Sequence, residues 1–128
     1  MSEAVLDASA ILAFLQNERG AEKLTDEVLD RAVASTVNLA EVQGKLVKGG
    51  FSPDEAWEHT LSLVTAAEPF TGEQAKIAGS LLPKTEKLGL SLGDRSCLAL
   101  AIALKAEIYT AEQQWKNLKV GIPIHLIR

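Results

Sequence analysis

Asp7, Glu41, Asp94 and Glu112 each stand where an apolar run breaks into a helical start or a turn. In an open α/β sheet, ligands bind beside the carboxyl ends of the strands, at a topological switch point. Carboxylates brought together there repel one another until a cation neutralises them. Oxygen donors with few His or Cys residues nearby suit hard cations such as Mg²⁺ or Mn²⁺. Residue types and placement therefore point to metal-assisted phosphoryl chemistry, in which a cation activates water and offsets charge developing on the transition state.

Each acid also has an ordinary structural role. Asp7 can cap the helix that follows it, or ligate a metal with Ser9 as a supporting hydroxyl. Glu41 can pair with Lys45 one turn on, worth about a few tenths of a kcal/mol. Val37, Ala40 and Gly44 make the Glu41 side of that helix small and apolar, so an acid there wants a partner. Asp94 stands three residues after Ser91, the spacing of a capping box, where the helix dipole favours its charge. Glu112 follows Tyr109-Thr110-Ala111 and can simply begin a turn containing Trp115, with Thr110 as its cap. Spacing leaves both readings open at every position. Four coincidences of place nevertheless favour one shared site.

The elements that must position these acids follow from hydrophobic periodicity. Ala4-Val5-Leu6 reads as a strand, and Ile11, Leu12 and Leu15 repeat at helical spacing before Gly20 stops the helix. Residues 21–30 read as a second helix, 31–35 as a strand, and 36–48 as a helix closed by Gly49-Gly50. Ser52-Pro53-Asp54-Glu55 is a strong helix start, with Ser as the cap and Pro in the first turn. That helix should run to about Ala66 and lead into a short segment at 67–70, with another helix over 71–88. Residues 91–105 are apolar on nearly all sides and should form a buried helix. Residues 107–110 and 123–127 are further strand candidates. Short strands alternating with longer helices predict an α/β domain with a mainly parallel central sheet.

At 128 residues the chain should form a single domain, residues 1–128, large enough for a core without disulfides. Its composition, 47% hydrophobic and 23% charged, is that of a soluble globular protein. Its one cysteine, Cys97, excludes an internal disulfide or a Cys-based zinc cluster and reads as a buried, inert thiol. A net charge of −4 argues against broad electrostatic binding of nucleic acid, though not against a basic rim around an acidic site. The beginning Met1-Ser2-Glu3 has no basic leader, and no apolar run approaches membrane-spanning length, so a cytoplasmic location is expected.

Four stretches together resemble the successive motifs of PIN-domain ribonucleases. They are Leu6-Asp7-Ala8-Ser9-Ala10, Val37-Asn38-Leu39-Ala40-Glu41-Val42, Leu90-Ser91-Leu92-Gly93-Asp94-Arg95-Ser96-Cys97-Leu98-Ala99 and Thr110-Ala111-Glu112-Gln113-Gln114-Trp115. More narrowly, they are similar to the VapC-like toxins of bacterial type II toxin–antitoxin pairs, the stretch around Asp94 being the most specific. The resemblance implies a three-layer sandwich with a five-stranded, mainly parallel sheet between helices. It implies a Mg²⁺- or Mn²⁺-dependent endoribonuclease, a cognate antitoxin that blocks the site, and a homodimer. On this likeness Asp7 and Asp94 would hold metal, Glu41 would hold it or orient water, and Glu112 would assist. Glu112 stands where the family usually has Asp, one methylene shorter. Ser9 and Thr110 would be supporting hydroxyls, and cleavage would leave a 5′-phosphate and a 3′-hydroxyl.

Lys45, Lys48, Arg95 and Lys116 are the cations nearest these motifs, and Lys45 and Arg95 are the candidates for RNA contact. Trp57 fits a core position, on a helix that in this family helps form the antitoxin groove, and Trp115 a packing anchor beside the site. His59 and His125 are isolated, and neither a nucleophile elbow nor a glycine-rich phosphate loop is present. A phosphatase using Asp7 as nucleophile would want a second Asp two residues on, where Ser9 stands. The remaining competitor is a catalytically silent α/β interaction module of PIN-like fold that has lost its metal. The RNA itself, with transfer or ribosomal RNA suggested by the resemblance, is not selected by any residue.

Overall fold

The computed structural model describes residues 2–128. Five strands, β1 (Ala4–Leu6), β2 (Ala32–Ser35), β3 (Ala66–Glu68), β4 (Glu107–Thr110) and β5 (Ile124–Leu126), alternate with seven helices. The helices are α1 (Ala8–Leu15), α2 (Asp26–Leu29), α3 (Thr36–Lys48), α4 (Pro53–Leu61), α5 (Gly72–Ser80), α6 (Leu82–Thr85) and α7 (Leu92–Leu104). The strands pair in the order β3-β2-β1-β4-β5, and every pair is parallel. Chain order reverses across β1 and β4, which makes the gap at their carboxyl ends the switch point of the sheet.

Parallel strands covered on both faces need apolar side chains pointing both ways. Central strands β1 and β2 are buried at every position, whereas the edge strands β3 and β5 are only partly covered. Alternation along the strands divides the core in two. Ala4, Leu6, Ala32 and Ala34 pack with Ile11 of α1, Leu39 and Val42 of α3 and Ala56 of α4. Val5, Val33 and Ile108 pack on the other face with Leu98 and Leu100 of α7 and with Trp115. Helix, sheet and helix thus form the three-layer sandwich expected from the sequence. Parallel pairing is complete rather than partial.

Local signals set most boundaries. Ser52 accepts a hydrogen bond from the Glu55 N–H at 3.2 Å and donates to its carboxylate at 2.9 Å, closing the start of α4. Gly20, with φ +97°, lies against the backbone of Ile127 so closely that a β-carbon would stand 2.5 Å from the Ile127 carbonyl oxygen. This approach brings the end of the α1 loop beside the exit of β5. Cys97, as expected, is fully buried within α7.

Three expectations are corrected. Residues 21–30 form a 3₁₀ turn at Ala21–Lys23 followed by the single-turn α2, not one helix. The Thr25 hydroxyl accepts from the Val28 N–H and starts a new helix there, because short hydroxyl side chains compete with the backbone ladder. Helix α4 stops at Leu61, and Ala66–Glu68 becomes a strand because it can pair with the open edge of β2. The expected helix over 71–88 breaks at Leu81 into α5, α6 and a 3₁₀ turn. Pro83 has no N–H to continue the α5 ladder and fits only a new first turn. No described helix is long and apolar enough to cross a membrane.

Candidate active site

Asp7 follows β1 and caps α1, directly at the switch point. Its carboxylate accepts from the Ala10 N–H at 2.8 Å, from the Ser9 hydroxyl at 2.8 and 3.0 Å, and from the Thr110 hydroxyl at 2.5 Å. Those hydroxyls are themselves fixed from β4. The Ala111 N–H donates to Ser9 Oγ at 2.9 Å, and the Glu112 N–H donates to Thr110 Oγ1 at 3.0 Å. Burial is the largest influence on Asp7 and pushes its carboxyl up to about 6 from the usual 3.8. Hydrogen bonds from Thr110, Ala10 and Ser9 oppose that rise, and the charge of Asp94 adds to it. A capping role and a poised acid therefore coincide in one residue.

Glu41 and Asp94 approach the same region from α3 and α7. Asn38, one turn before Glu41, donates through Nδ2 to Glu41 Oε1 and to the Gly93 carbonyl, each at 3.0 Å. Both partners are acceptors, so they dictate which way the amide faces. Its Oδ1 is buried without a partner. Glu41 lies so close to Gly93 that a β-carbon there would collide with its carboxylate. Asp94 completes a capping box: Oδ2 accepts from the Ser91 N–H at 2.8 Å, and the Asp94 N–H donates to Ser91 Oγ at 3.2 Å. Beneath them, burial and then the charges of Asp7, Asp94 and Glu41 push the Cys97 thiol well above its usual range. The charges of three carboxylates from distant segments thus all reach one buried thiol.

This donor set fits a hard divalent cation in chemistry. It consists of carboxylate oxygens, one of them desolvated and destabilised as an anion by a neighbouring acid. No hydrogen bond from the described residues reaches Asp94 Oδ1 or Glu41 Oε2, which remain available as donors. Among the described residues no three His, Cys, Asp or Glu side chains close into a coordination sphere. Mg²⁺, which keeps several waters, needs only one or two direct carboxylates.

Glu112 stands apart from the trio. It lines a cleft of about 230 Å³ together with Ser9, Leu12, Lys45 and Arg128. The expected Thr110 cap takes the form of the Thr110–Glu112 hydrogen bond, and the turn beyond has no side-chain cap. Among the described residues Glu41 makes no ion pair with Lys45, its partner being Asn38. Arg95 donates through Nη1 to the Ala78 carbonyl of α5 at 3.1 Å and makes no ion pair with Asp94 among the described residues. Lys48 is exposed at the end of α3, and Trp57 packs half-buried against the α1–α3 core. Trp115 is fully buried.

Sequence reasoning missed two features. Asn38 carried a signal, a polar residue among apolar neighbours one helical turn before Glu41. The second is a cleft of about 540 Å³ lined by Arg19, Lys23, Lys116 and Arg128, of which only Lys116 stood near a motif. Arg19 and Lys23 reach it through the loop that Gly20 folds against Ile127, a tertiary approach with no local signature.

Comparison with known proteins agrees with the fold. A family model described as PIN domain matches residues 4–120. No curated protein matches the sequence. The DNA-bound VapBC of Salmonella typhimurium is similar in fold, with 15% identity, full coverage of both chains and a TM-score of 0.75. A toxin–antitoxin complex from Klebsiella pneumoniae follows with 18% identity, 98% coverage of each chain and a TM-score of 0.74. FitAcB from Neisseria gonorrhoeae shows 16% identity, 97% coverage of each chain and a TM-score of 0.69.

Proposed function

The chain belongs to the PIN domain family, and on that premise we propose that it is a divalent-metal-dependent endoribonuclease acting as the toxin of a toxin–antitoxin pair. The observation that carries this reading is Asp7: fully buried at the switch point, held by Ser9 and Thr110, and raised to about 6 by burial with the charge of Asp94 adding to it. The similar structures include VapBC and other toxin–antitoxin complexes, which supports a cognate antitoxin as the partner that covers this site.

In this mechanism Asp7 and Asp94 would hold Mg²⁺ or Mn²⁺, and Glu41 would hold it or orient the attacking water. When bound there, the cation would make water nucleophilic near neutral pH and offset charge building on the phosphodiester. Ser9 and Thr110 fix the rotamer of Asp7, and Asn38 fixes Glu41, so the carboxylates do not reorganise as the phosphate arrives. Glu112, at the rim of the cleft with Lys45, assists from the side where RNA enters. In-line attack of water on phosphorus would break the P–O3′ bond, and the departing O3′ would take a proton from solvent, leaving a 5′-phosphate and a 3′-hydroxyl. The substrate class is cellular RNA, transfer or ribosomal, and the protein works as a single-domain cytoplasmic subunit, as a homodimer when joined to antitoxin.

A second reading, a catalytically silent PIN-like interaction module, draws on the absence of a closed coordination sphere among the described residues. Incubating the purified chain with bulk cellular RNA, in Mg²⁺ or Mn²⁺ against EDTA, separates the two. The nuclease cuts only with metal, and both Asp7→Asn and Asp94→Asn bring cutting below detection. Metal-independent cutting, or unchanged cutting in either variant, would remove the proposed site. No cutting and no metal binding by calorimetry would favour the silent module.

A further inference from the structure

The cleft lined by Arg19, Lys23, Lys116 and Arg128 lies at the carboxyl end of the sheet, where β4 and β5 exit, on the same edge as Asp7. Arg128 belongs to the walls of both this cleft and the smaller one that holds Ser9, Glu112 and Lys45. The two therefore adjoin at Arg128, and the smaller, with Glu18, Glu112 and Lys45 on its walls, reaches Ser9, whose hydroxyl bonds the Asp7 carboxylate. Arg128 is held by Glu18 at 3.0 Å and by the Arg19 carbonyl at 3.2 Å. Among the described residues Arg19, Lys23 and Lys116 make no ion pair. Three cations lining one concavity with no ion pair among the described residues, in a chain of net charge −4, suit a polyanion.

We propose that this cleft is a phosphate-binding subsite that takes the backbone of single-stranded RNA flanking the scissile bond and so aligns it across Asp7. The proposal rests on the nuclease reading and adds to it where the substrate lies. Such interactions set register and orientation without reading bases, so the effect is uniform across sequences.

The test uses the full chain as Asp7→Asn, to prevent cutting, with a labelled single-stranded RNA oligonucleotide and fluorescence anisotropy across a salt series. Adding Lys23→Glu and Lys116→Glu should weaken binding by about tenfold or more. With two phosphates no longer neutralised, the slope of log K against log salt should flatten by about 1.4. Lys84→Glu with Lys87→Glu, a charge-matched pair lining a separate cleft, should leave both nearly unchanged. All four lysines are exposed, and thermal melts should show both double variants folded. Equal weakening by the two pairs would reduce the effect to overall charge and overturn the subsite. Loss of poly-glutamate binding with RNA binding intact would assign the cleft to an acidic protein segment and overturn it as well. Metal-dependent cutting by the otherwise unsubstituted chain is scored separately. Cutting with unaltered RNA binding in the Lys23/Lys116 pair sinks the subsite alone, and RNA binding lost in that pair without any cutting sinks the nuclease alone.

Discussion

At Gly93 the Glu41 carboxylate lies against the backbone where a β-carbon would stand, and Asn38 ties the two together. The far end of Glu41 is a flexible, exposed side chain, so Gly93→Ala should displace it rather than unfold α7. The expected result is a fold that melts close to that of the parent, with RNA cleavage and Mg²⁺ affinity both down by roughly 10- to 100-fold, the usual cost of disturbing a ligand's support. Wild-type cleavage by Gly93→Ala would show that the placement of Glu41 is immaterial. A glycine read alone in the sequence says only that a small residue is tolerated. Here its meaning comes from a side chain far earlier in the chain, on another helix.

Among the elements, the network at the start of β4 joins that strand to β5 and to the residue just ahead of β2. Glu107 accepts from the Tyr109 hydroxyl at 2.6 Å, pairs with Arg31 ahead of β2 at 3.3 Å, and lies 3.1 Å from His125 of β5. Burial alone would push the Glu107 carboxyl up. The hydrogen bonds from Tyr109 and Arg31, with the Arg31 and His125 charges, hold it below its usual 4.5. A lowered carboxyl contributes stability above its unfolded value that is lost as pH falls through the folded one. Glu107→Gln should therefore cost about 1 kcal/mol in urea unfolding at pH 7, given its partial exposure, and the cost should vanish in acid. An equal cost at both pH values would assign the effect to packing. This network was invisible in the sequence because its members meet only through strand order. Where elements are defined by local pattern the reading was close: β1, α3, α7 and β4 follow from apolar period and caps. Where a boundary depends on a neighbour it was not. Ala66–Glu68 is a strand only because β2 offers an edge, and Thr25 and Pro83 broke helices that apolar spacing alone would have continued. Asp7, Asp94 and Glu112 sit at a strand exit or a helix start, where local pattern singles them out, whereas Glu41 lies within α3. Asn38 and the Arg19–Lys23 wall were not legible, since packing of α3 on α7 and the Gly20–Ile127 approach create their surroundings.

For the molecule as a whole, the site at the switch point works against the fold that builds it. Asp7 has a folded value of about 6 against 3.8 ordinarily, so its contribution to stability is fully present below 3.8 and lost as pH rises through about 6. By linkage that loss is about 3 kcal/mol in metal-free protein at neutral pH, a sizeable part of the stability of a domain this size. Glu107 acts in the opposite sense, so acid does not simply favour the fold. A divalent cation bound by ionised Asp7, as proposed, would reverse the deficit by mass action, by about 2.7 kcal/mol at a hundredfold excess over its dissociation constant. Glu107→Gln removes the opposing carboxyl and leaves Asp7 as the main pH-sensitive group of the pair. In that background, urea unfolding at about pH 4.5 and 7.5, with EDTA or Mg²⁺, should show three things. Stability without metal is lower at the higher pH; Mg²⁺ restores it there and does little in acid, where Asp7 holds its proton; and adding Asp7→Asn removes both the pH dependence and the Mg²⁺ effect. A Mg²⁺ effect that survives in Asp7→Asn would place the cation elsewhere. Metal-free stability that does not change between the two pH values would mean that Asp7 is ionised at no cost, and the electrostatic case for a cation at the switch point would fall with it.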